Sequence, residues 1–197
     1  MRTNWLTGVA LAAATPLLLT AMALQTAGVS GSVTAKGLRT NAGIVVSLQA
    51  PGTNVTPPAK PPEVDQKGMV FIPHVMAVVR GTAVRFLNSD AVAHNVFSPE
   101  GKYNLGTWPQ GETREHMFDK PGVYTQLCRV HPEMESFVVV LDTPYFAVSD
   151  REGKYAIAAV PPGKYTLVAW SERLKSVKQE VVIESGKTLT VDLAMAR

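Results

Sequence analysis

The feature that most constrains this chain is a seven-residue segment that contains its single cysteine. Cys128 is followed at three-residue intervals by His131 and Met134, so a thiol, an imidazole and a thioether fall within one short loop. A second candidate imidazole, His94, lies in a separate segment earlier in the chain. This soft ligand set suits copper that cycles between two oxidation states, with the cysteine and both histidines in a trigonal plane and the methionine as a weak axial ligand. We therefore expect a rigid frame that brings the loop and the earlier segment together.

The segments around these residues resemble the cupredoxins, the small blue-copper electron carriers. The resemblance covers roughly residues 66–141, and the loop spacing is similar to that of amicyanin. Residues 71–73, 80–90 and 118–124 look like the segments that precede the ligands in that family. The resemblance implies an antiparallel Greek-key β-sandwich.

The same resemblance implies the metal and its ligands. It predicts one mononuclear type 1 copper held by His94, Cys128, His131 and Met134. It also gives Asn95 two roles: its backbone N–H donates to the cysteine sulfur, and its side chain ties the two ligand segments together. Methionine is a poor ligand for zinc, calcium and magnesium, which argues against those ions.

Two further groups of predicted strands lie outside the cupredoxin-like region. Residues 29–35 and 44–50 are predicted strands, and four more predicted strands follow between residues 155 and 193. Two strands alone do not make a stable unit, so the N-terminal pair needs partners elsewhere. Both groups are similar to parts of the carboxypeptidase-regulatory-like, transthyretin-like β-sandwich.

We therefore predict an all-β chain in which a cupredoxin domain interrupts a second β-sandwich. The predicted divisions are residues 28–62, the first part of the carboxypeptidase-regulatory-like sandwich with a proline-rich linker, then 63–142, the cupredoxin domain, and 143–197, the second part. Small domains usually have neighbouring surface termini, which makes insertion feasible. The alternative is two consecutive domains with an extended N-terminal tail.

The N-terminus has the pattern of a targeting segment. Arg2 precedes an uncharged apolar run over residues 5–24, and residues 21–23 have the small-x-small form of a signal-peptidase site. We expect residues 1–23 to be a signal peptide and the product to be periplasmic or otherwise exported. An uncleaved membrane anchor is the alternative, because the run is long enough to span a bilayer. A lone cysteine in an oxidising compartment cannot form an internal disulfide, and its surroundings favour metal ligation.

Composition and the remaining candidate residues narrow the function further. A net charge of +3 without a basic run gives no indication of nucleic-acid binding. Four histidines are too few for a complete multicopper oxidase, and one cysteine is too few for a binuclear copper centre. His74 and His116 are predicted to be structural or surface residues, and Trp108 is predicted to lie in a loop. Three further methionines are predicted to fill the core: Met69, Met76 and Met117.

The leading interpretation is an exported blue-copper protein that carries single electrons and is not an enzyme. Chains of this composite type resemble proteins labelled methylamine utilization proteins, which implies a redox partner such as a periplasmic dehydrogenase or cytochrome and no organic substrate. One alternative is a periplasmic copper storage or delivery protein. Another is a chain whose copper site has degenerated while the second sandwich binds a glycan or a protein. Membrane contact is expected only if the N-terminal segment is retained.

Overall fold

The computed structural model describes residues 27–50 and 52–197, where the regular structure is entirely β. The expected signal peptide, residues 1–23, lies outside the described residues. Within the described part, no helix is long and apolar enough to cross a membrane. The strands are, in chain order, β1 (Gly28–Ala35), β2 (Val45–Gln49), β3 (Glu63–Gln66), β4 (Phe71–Ile72), β5 (Val75–Val79), β6 (Thr82–Asn88), β7 (His94–Ser98), β8 (Tyr103–Trp108), β9 (Thr113–Phe118), β10 (Gly122–Leu127), β11 (Glu135–Leu141), β12 (Phe146–Val148), β13 (Lys154–Ile157), β14 (Gly163–Trp170), β15 (Val177–Ile183), β16 (Thr188–Thr190) and β17 (Leu193–Met195).

Residues 63–141 form two sheets around one apolar core, and we call this unit the central sandwich. One sheet has the order β5-β11-β10-β7-β8 and the other β4-β3-β6-β9. The burial pattern of β6 explains how each sheet covers the core. Val84 and Phe86 are fully buried, whereas Arg85 between them is half-exposed. A strand turns successive side chains to opposite faces, so this alternation places one face against the core.

Residues 28–50 and 143–195 form a second pair of sheets, the outer sandwich, with its own core of aliphatic and tyrosine side chains. β1 pairs with β13, β16 and β17, and β2 pairs with β12 and β14. Gly31 lies where β1 passes from β16 to β17, and a Cβ there would come within 1.9 Å of the Val191 carbonyl oxygen. Only glycine permits that close approach of two backbones.

The strand pairing is nested along the chain. Within the described residues, β3 to β11 pair only with one another, while the partners of β1 and β2 all begin at Phe146 or later. Most neighbours are antiparallel, as expected, and the parallel pairs are β3–β6, β5–β11, β1–β16 and β1–β17. The candidate metal residues all lie within the central sandwich.

Candidate metal centre

The loop that carries three of the candidate ligands is closed by the hairpin of β10 and β11. Leu127 pairs with Glu135, so residues 128–134 form a turn across the end of the ladder. Inside this turn the Met134 N–H donates to the His131 carbonyl oxygen at 3.0 Å. The hairpin therefore fixes both ends of the loop.

The fourth candidate, His94, meets this loop because β7 lies beside β10, where Leu127 pairs with Phe97. The ligand atoms of His94, Cys128 and His131 all lie within 4.8 Å of one another. The Nδ1 atoms of the two histidines are 2.9 Å apart. Two atoms bonded to one transition-metal ion at about 2.0–2.3 Å can be at most about 4.6 Å apart. The cluster therefore fits a single ion with only small adjustments.

Burial separates the four candidates into two kinds. His94 and Met134 are fully buried, and Cys128 is 3 % exposed. Met134 and Cys128 belong to the same apolar cluster of the central core. His131, in contrast, is only half-buried. Three of the four side chains are thus shielded from water, and the imidazole of His131 is the one that reaches the surface.

Asn95 joins the two segments that carry the candidate ligands. Its backbone N–H lies 3.4 Å from the Cys128 sulfur, and its Oδ1 accepts the backbone N–H of Arg129 at 3.4 Å. Its Nδ2 donates to Asn104 Oδ1 and to the Gly106 carbonyl oxygen. The tie to the ligand loop uses a backbone donor, so it does not depend on the side chain that follows the cysteine.

Asp90 holds the buried histidine from the other side. His94 Nε2 lies 2.9 Å from Asp90 Oδ2. The same carboxylate accepts the backbone N–H groups of Met69 at 2.9 Å and Gly68 at 2.6 Å. These two donors, with a smaller contribution from His94, lower the pKa of Asp90. A carboxylate on Nε2 orients the ring and leaves Nδ1 facing the cluster, a common arrangement around metal-binding histidines.

Sequence reasoning did not single out Asp90. An acidic residue four positions before a candidate ligand was visible in the sequence, but its role depends on the turn at residues 67–70. Gly68 and Met69 both have positive φ in that turn, and both donate to the carboxylate. Successive N–H groups in such a turn form a concave binding site for an anion.

The surface next to His131 combines apolar and cationic groups. Val130 is 48 % exposed, and the Arg129 guanidinium lies 4.8 Å from the centroid of the Phe97 ring. Such a cation–π contact adds modest stability at an exposed position. The exposed edge of the site therefore has an apolar floor with one charged group beside it.

The other two histidines lie outside the cluster. His74 contacts the Glu135 carbonyl oxygen and the Glu172 carboxylate. His116 stacks on Tyr103 with ring centroids 3.7 Å apart, and burial lowers its pKa. Both positions agree with the structural or surface roles predicted for them.

The predictions for Trp108 and the methionines fared unevenly. Trp108 is not in a loop but at the buried end of β8, opposite His94. Met76 packs against the core as predicted. Met69 and Met117 are 42 % and 56 % exposed, so the prediction that they fill the core is wrong. Met69 lies in the turn before β4. Met117 lies on β9, at the edge of its sheet, on the face turned away from the core.

Comparisons with known proteins agree with this geometry. Residues 61–141 match the family model of copper binding proteins of the plastocyanin/azurin family. Residues 134–196 match the model of the carboxypeptidase regulatory-like domain. β1 and β2 lie outside both matches, although they complete the sheets of the outer sandwich. No curated protein matches the chain.

Similar solved structures include three copper proteins. A novel purple cupredoxin from Nitrosopumilus maritimus is 26 % identical, with 41 % of this chain and 99 % of that chain covered and a TM-score of 0.38. A Cu-containing nitrite reductase from Thermus scotoductus SA-01 is 26 % identical over 48 % of this chain and 25 % of that chain, with a TM-score of 0.40. A reduced amicyanin mutant is 22 % identical over 49 % of this chain and 98 % of that chain, also with a TM-score of 0.40.

The two family matches cover the central sandwich, which contains the cluster, and the C-terminal part of the outer sandwich. This all-β chain carries a copper-binding domain of the plastocyanin/azurin family together with a carboxypeptidase regulatory-like domain.

Proposed function

We propose that this protein is an exported type 1 copper protein that carries single electrons, with one copper held by His94, Cys128, His131 and Met134. One observation supports the proposal most strongly: two imidazole nitrogens and one thiol lie together, on His94, His131 and Cys128. His94 and Cys128 are buried, and only the His131 imidazole reaches the surface. When bound, copper supplies reversible one-electron chemistry. Met134 would hold the copper through its thioether, a soft ligand that suits this metal.

The chain's own residues would hold the metal ligands in place. The β10–β11 ladder closes the ligand loop. Asn95 donates to the Cys128 sulfur, which stabilises the thiolate, and Asp90 orients His94. Ligands fixed in this way move little when the oxidation state changes. Small movement keeps the reorganisation energy low, which is the requirement for fast electron transfer.

We propose that electrons enter and leave through the exposed edge of His131. Val130 and Phe97 supply apolar surface around that edge, and Arg129 supplies a charge. A small apolar contact suits a brief encounter with a redox protein. A periplasmic dehydrogenase or cytochrome is the class of partner that we propose. Because only an imidazole edge is accessible, the site suits electron exchange better than binding of an organic substrate.

Copper titration of the purified protein tests this proposal. We expect one copper per chain and an intense thiolate-to-Cu(II) absorption band near the red end of the visible spectrum. Cys128→Ser should abolish the band and leave the metal-free protein folded. His116→Gln is the matched control, because His116 stacks on Tyr103 outside the cluster and its loss should leave the band unchanged.

Two results would contradict the assignment. A Cys128→Ser variant that still turns blue would exclude the thiolate as the ligand that gives the colour. Rapid loss of copper to a chelator, without a reversible redox cycle, would indicate copper delivery in place of electron transfer.

A further inference from the structure

The two sandwiches meet through β11, the strand that follows the ligand loop. Its side chains alternate between two apolar clusters: Val138 and Val140 face the central core, whereas Val139 and Leu141 pack in a separate cluster at the junction. In that junction they meet Val45 and, partly buried, several residues of both sandwiches: Val75, Ala77, Val123, Phe146 and Trp170. β11 is therefore buried on both faces, and its position depends on the outer sandwich.

His74 lies where this junction meets the ligand loop. Its Nδ1 is 3.1 Å from the carbonyl oxygen of Glu135, the residue directly after Met134. Its Nε2 is 3.1 Å from Glu172 Oε2 in the outer sandwich. The Phe137 N–H donates to the His74 carbonyl oxygen at 2.9 Å. His74 thus connects the start of β11, in the central sandwich, to Glu172 in the outer sandwich.

The chemistry of the contact is specific. Both ring nitrogens of His74 face oxygen acceptors, so whichever nitrogen carries the proton has a partner to which it donates. The ring also meets the Phe137 ring edge-on at 5.6 Å, and Phe137 meets Trp170 at 5.8 Å. The Arg173 guanidinium lies 3.1 Å from the second Glu172 oxygen and holds the carboxylate in place.

The contact is too exposed to contribute much to overall stability. The His74 side chain is 50 % exposed, and half-exposed ion pairs are screened by water. Its location matters more than its strength, because it fixes a carbonyl that is one residue away from the proposed axial ligand. Groups that orient a ligand from outside tune a metal site without touching the metal.

We propose that His74 and Glu172 are positioning residues that clamp Glu135, and through it Met134, to the outer sandwich. This inference rests on the proposed copper function and deepens it. The outer sandwich thereby sets the geometry of the axial side of the site. A change in the outer sandwich near Glu172 reaches the copper ligand through one hydrogen-bonded histidine.

Two single variants and their double variant test the clamp. His74→Phe keeps an aromatic ring against Phe137 and removes both ring nitrogens, and Glu172→Gln keeps the size of its side chain and removes the charge. In the copper protein, each should shift the reduction equilibrium by about two- to thirtyfold, the range of such indirect couplings. The double variant should shift it no further than His74→Phe alone, because without the imidazole Glu172 has no contact with the ligand loop to lose.

A second readout needs no metal. In the metal-free protein, backbone amide exchange measured by NMR should become several-fold faster at Met134 and Phe137 in both single variants. Asp142→Asn is the matched control, because it breaks the Arg80–Asp142 pair near the other end of β11. This control should change neither the equilibrium nor the two exchange rates.

The outcomes separate the two proposals. If the wild-type protein lacks a type 1 copper spectrum, the proposed function fails, while the exchange rates still decide whether the clamp positions the loop. Unchanged exchange at Met134 and an unchanged reduction equilibrium in both single variants would overturn the clamp. Additive shifts in the double variant, or an equal shift in Asp142→Asn, would overturn it as well.

Discussion

The central sandwich buries amide and imidazole side chains, which the described part of the outer sandwich does not. In the described residues, the buried side-chain atoms without a hydrogen-bond partner all lie between residues 65 and 136, on Asp65, Gln66, Thr82, Trp108 and Ser136. The buried polar residues of the outer sandwich are all small hydroxyls: Ser47, Thr143, Ser149 and Ser171. Ser149, for example, donates to the Asn41 carbonyl oxygen and accepts the Ile44 N–H.

The two sandwiches therefore differ in what their buried polar groups cost in stability. An unpaired buried polar group costs about 1–3 kcal/mol. These groups all belong to the central sandwich, where the buried Gln66 and Asn88 side chains also donate to backbone carbonyl oxygens. The outer sandwich has a core of apolar and tyrosine side chains, and the hydroxyls of Tyr155 and Tyr165 both donate to carbonyl oxygens. We infer that the core of the outer sandwich supplies stability and that the central sandwich supplies the metal ligands, with the Glu172–His74 contact as the link between them.

Removing the central sandwich gives the largest expected effect and the most direct test of that difference. β2 and β12 are antiparallel, with Ser47 opposite Phe146, and extending that register would place Ala50 opposite Thr143. An Asn-Gly turn joining these two positions would convert the pair into a β-hairpin. We expect the shortened protein to unfold cooperatively on heating, with lower stability because the junction becomes exposed.

Exposure of the junction needs its own control. Val45 lies in the apolar junction cluster, so Val45→Thr in the shortened protein should improve solubility without removing the transition. Loss of cooperative unfolding in both versions would show that the outer strands cannot fold alone. The two regions would then be parts of one folding unit, and the assignment of separate roles would be wrong.

The candidate site was predictable because most of its information is local. The order and spacing of His94, Cys128, His131 and Met134 occupy two short windows of sequence, and the structure brings the first three into one cluster. Asp90 was not predictable in the same way. Its two backbone donors lie more than 20 residues away in the chain, and only the folded register brings them to the carboxylate.

The fold was predictable in its class and less so in its details. The alternation over β6 and the continuous apolar run of β11 are strong strand signals, but β3 (Glu63–Gln66) follows two prolines and carries two acidic residues, so it has no strand signal of its own. β8 (Tyr103–Trp108) contains Gly106 with φ of +83°, which reads as a turn. Both strands form because a neighbouring strand offers partners, and that context is absent from the local sequence.

Substitution of Met134 gives an intermediate effect that is confined to the central sandwich. Met134→Leu should raise the reduction potential of copper, because the Cu(II) state loses a weak electron donor while the other three ligands remain. The volume of the side chain is nearly conserved, so the free energy of unfolding of the metal-free protein should change by less than about 1.5 kcal/mol. Voltammetry and thermal unfolding of the same samples measure both quantities.

Leu167 supplies the matched control in the outer core, where it is fully buried. Leu167→Ala should lower the free energy of unfolding by about 2–5 kcal/mol and leave the reduction potential unchanged at temperatures where the protein is folded. An unchanged potential in Met134→Leu would show that Met134 is not a ligand. A shifted potential in Leu167→Ala would show that the outer core also tunes the site, beyond the single contact between Glu172 and His74.

Charge reversal at Arg129 gives the smallest expected effect, because it changes only the encounter with a partner. Arg129 lies over Phe97 beside the exposed ligand loop, so Arg129→Glu reverses the charge that an approaching redox protein meets. The rate of electron exchange should change, and its dependence on ionic strength should change sign or slope, while the visible spectrum stays the same. The loss of the cation–π contact should cost about 0.5–1 kcal/mol of stability.

Arg151→Glu makes the same charge change on an exposed turn of the outer sandwich, and it should leave the salt dependence as in the wild type. If Arg151→Glu alters electron exchange and Arg129→Glu does not, the partner docks on the outer sandwich, and the surface around His131 is not the route for electrons.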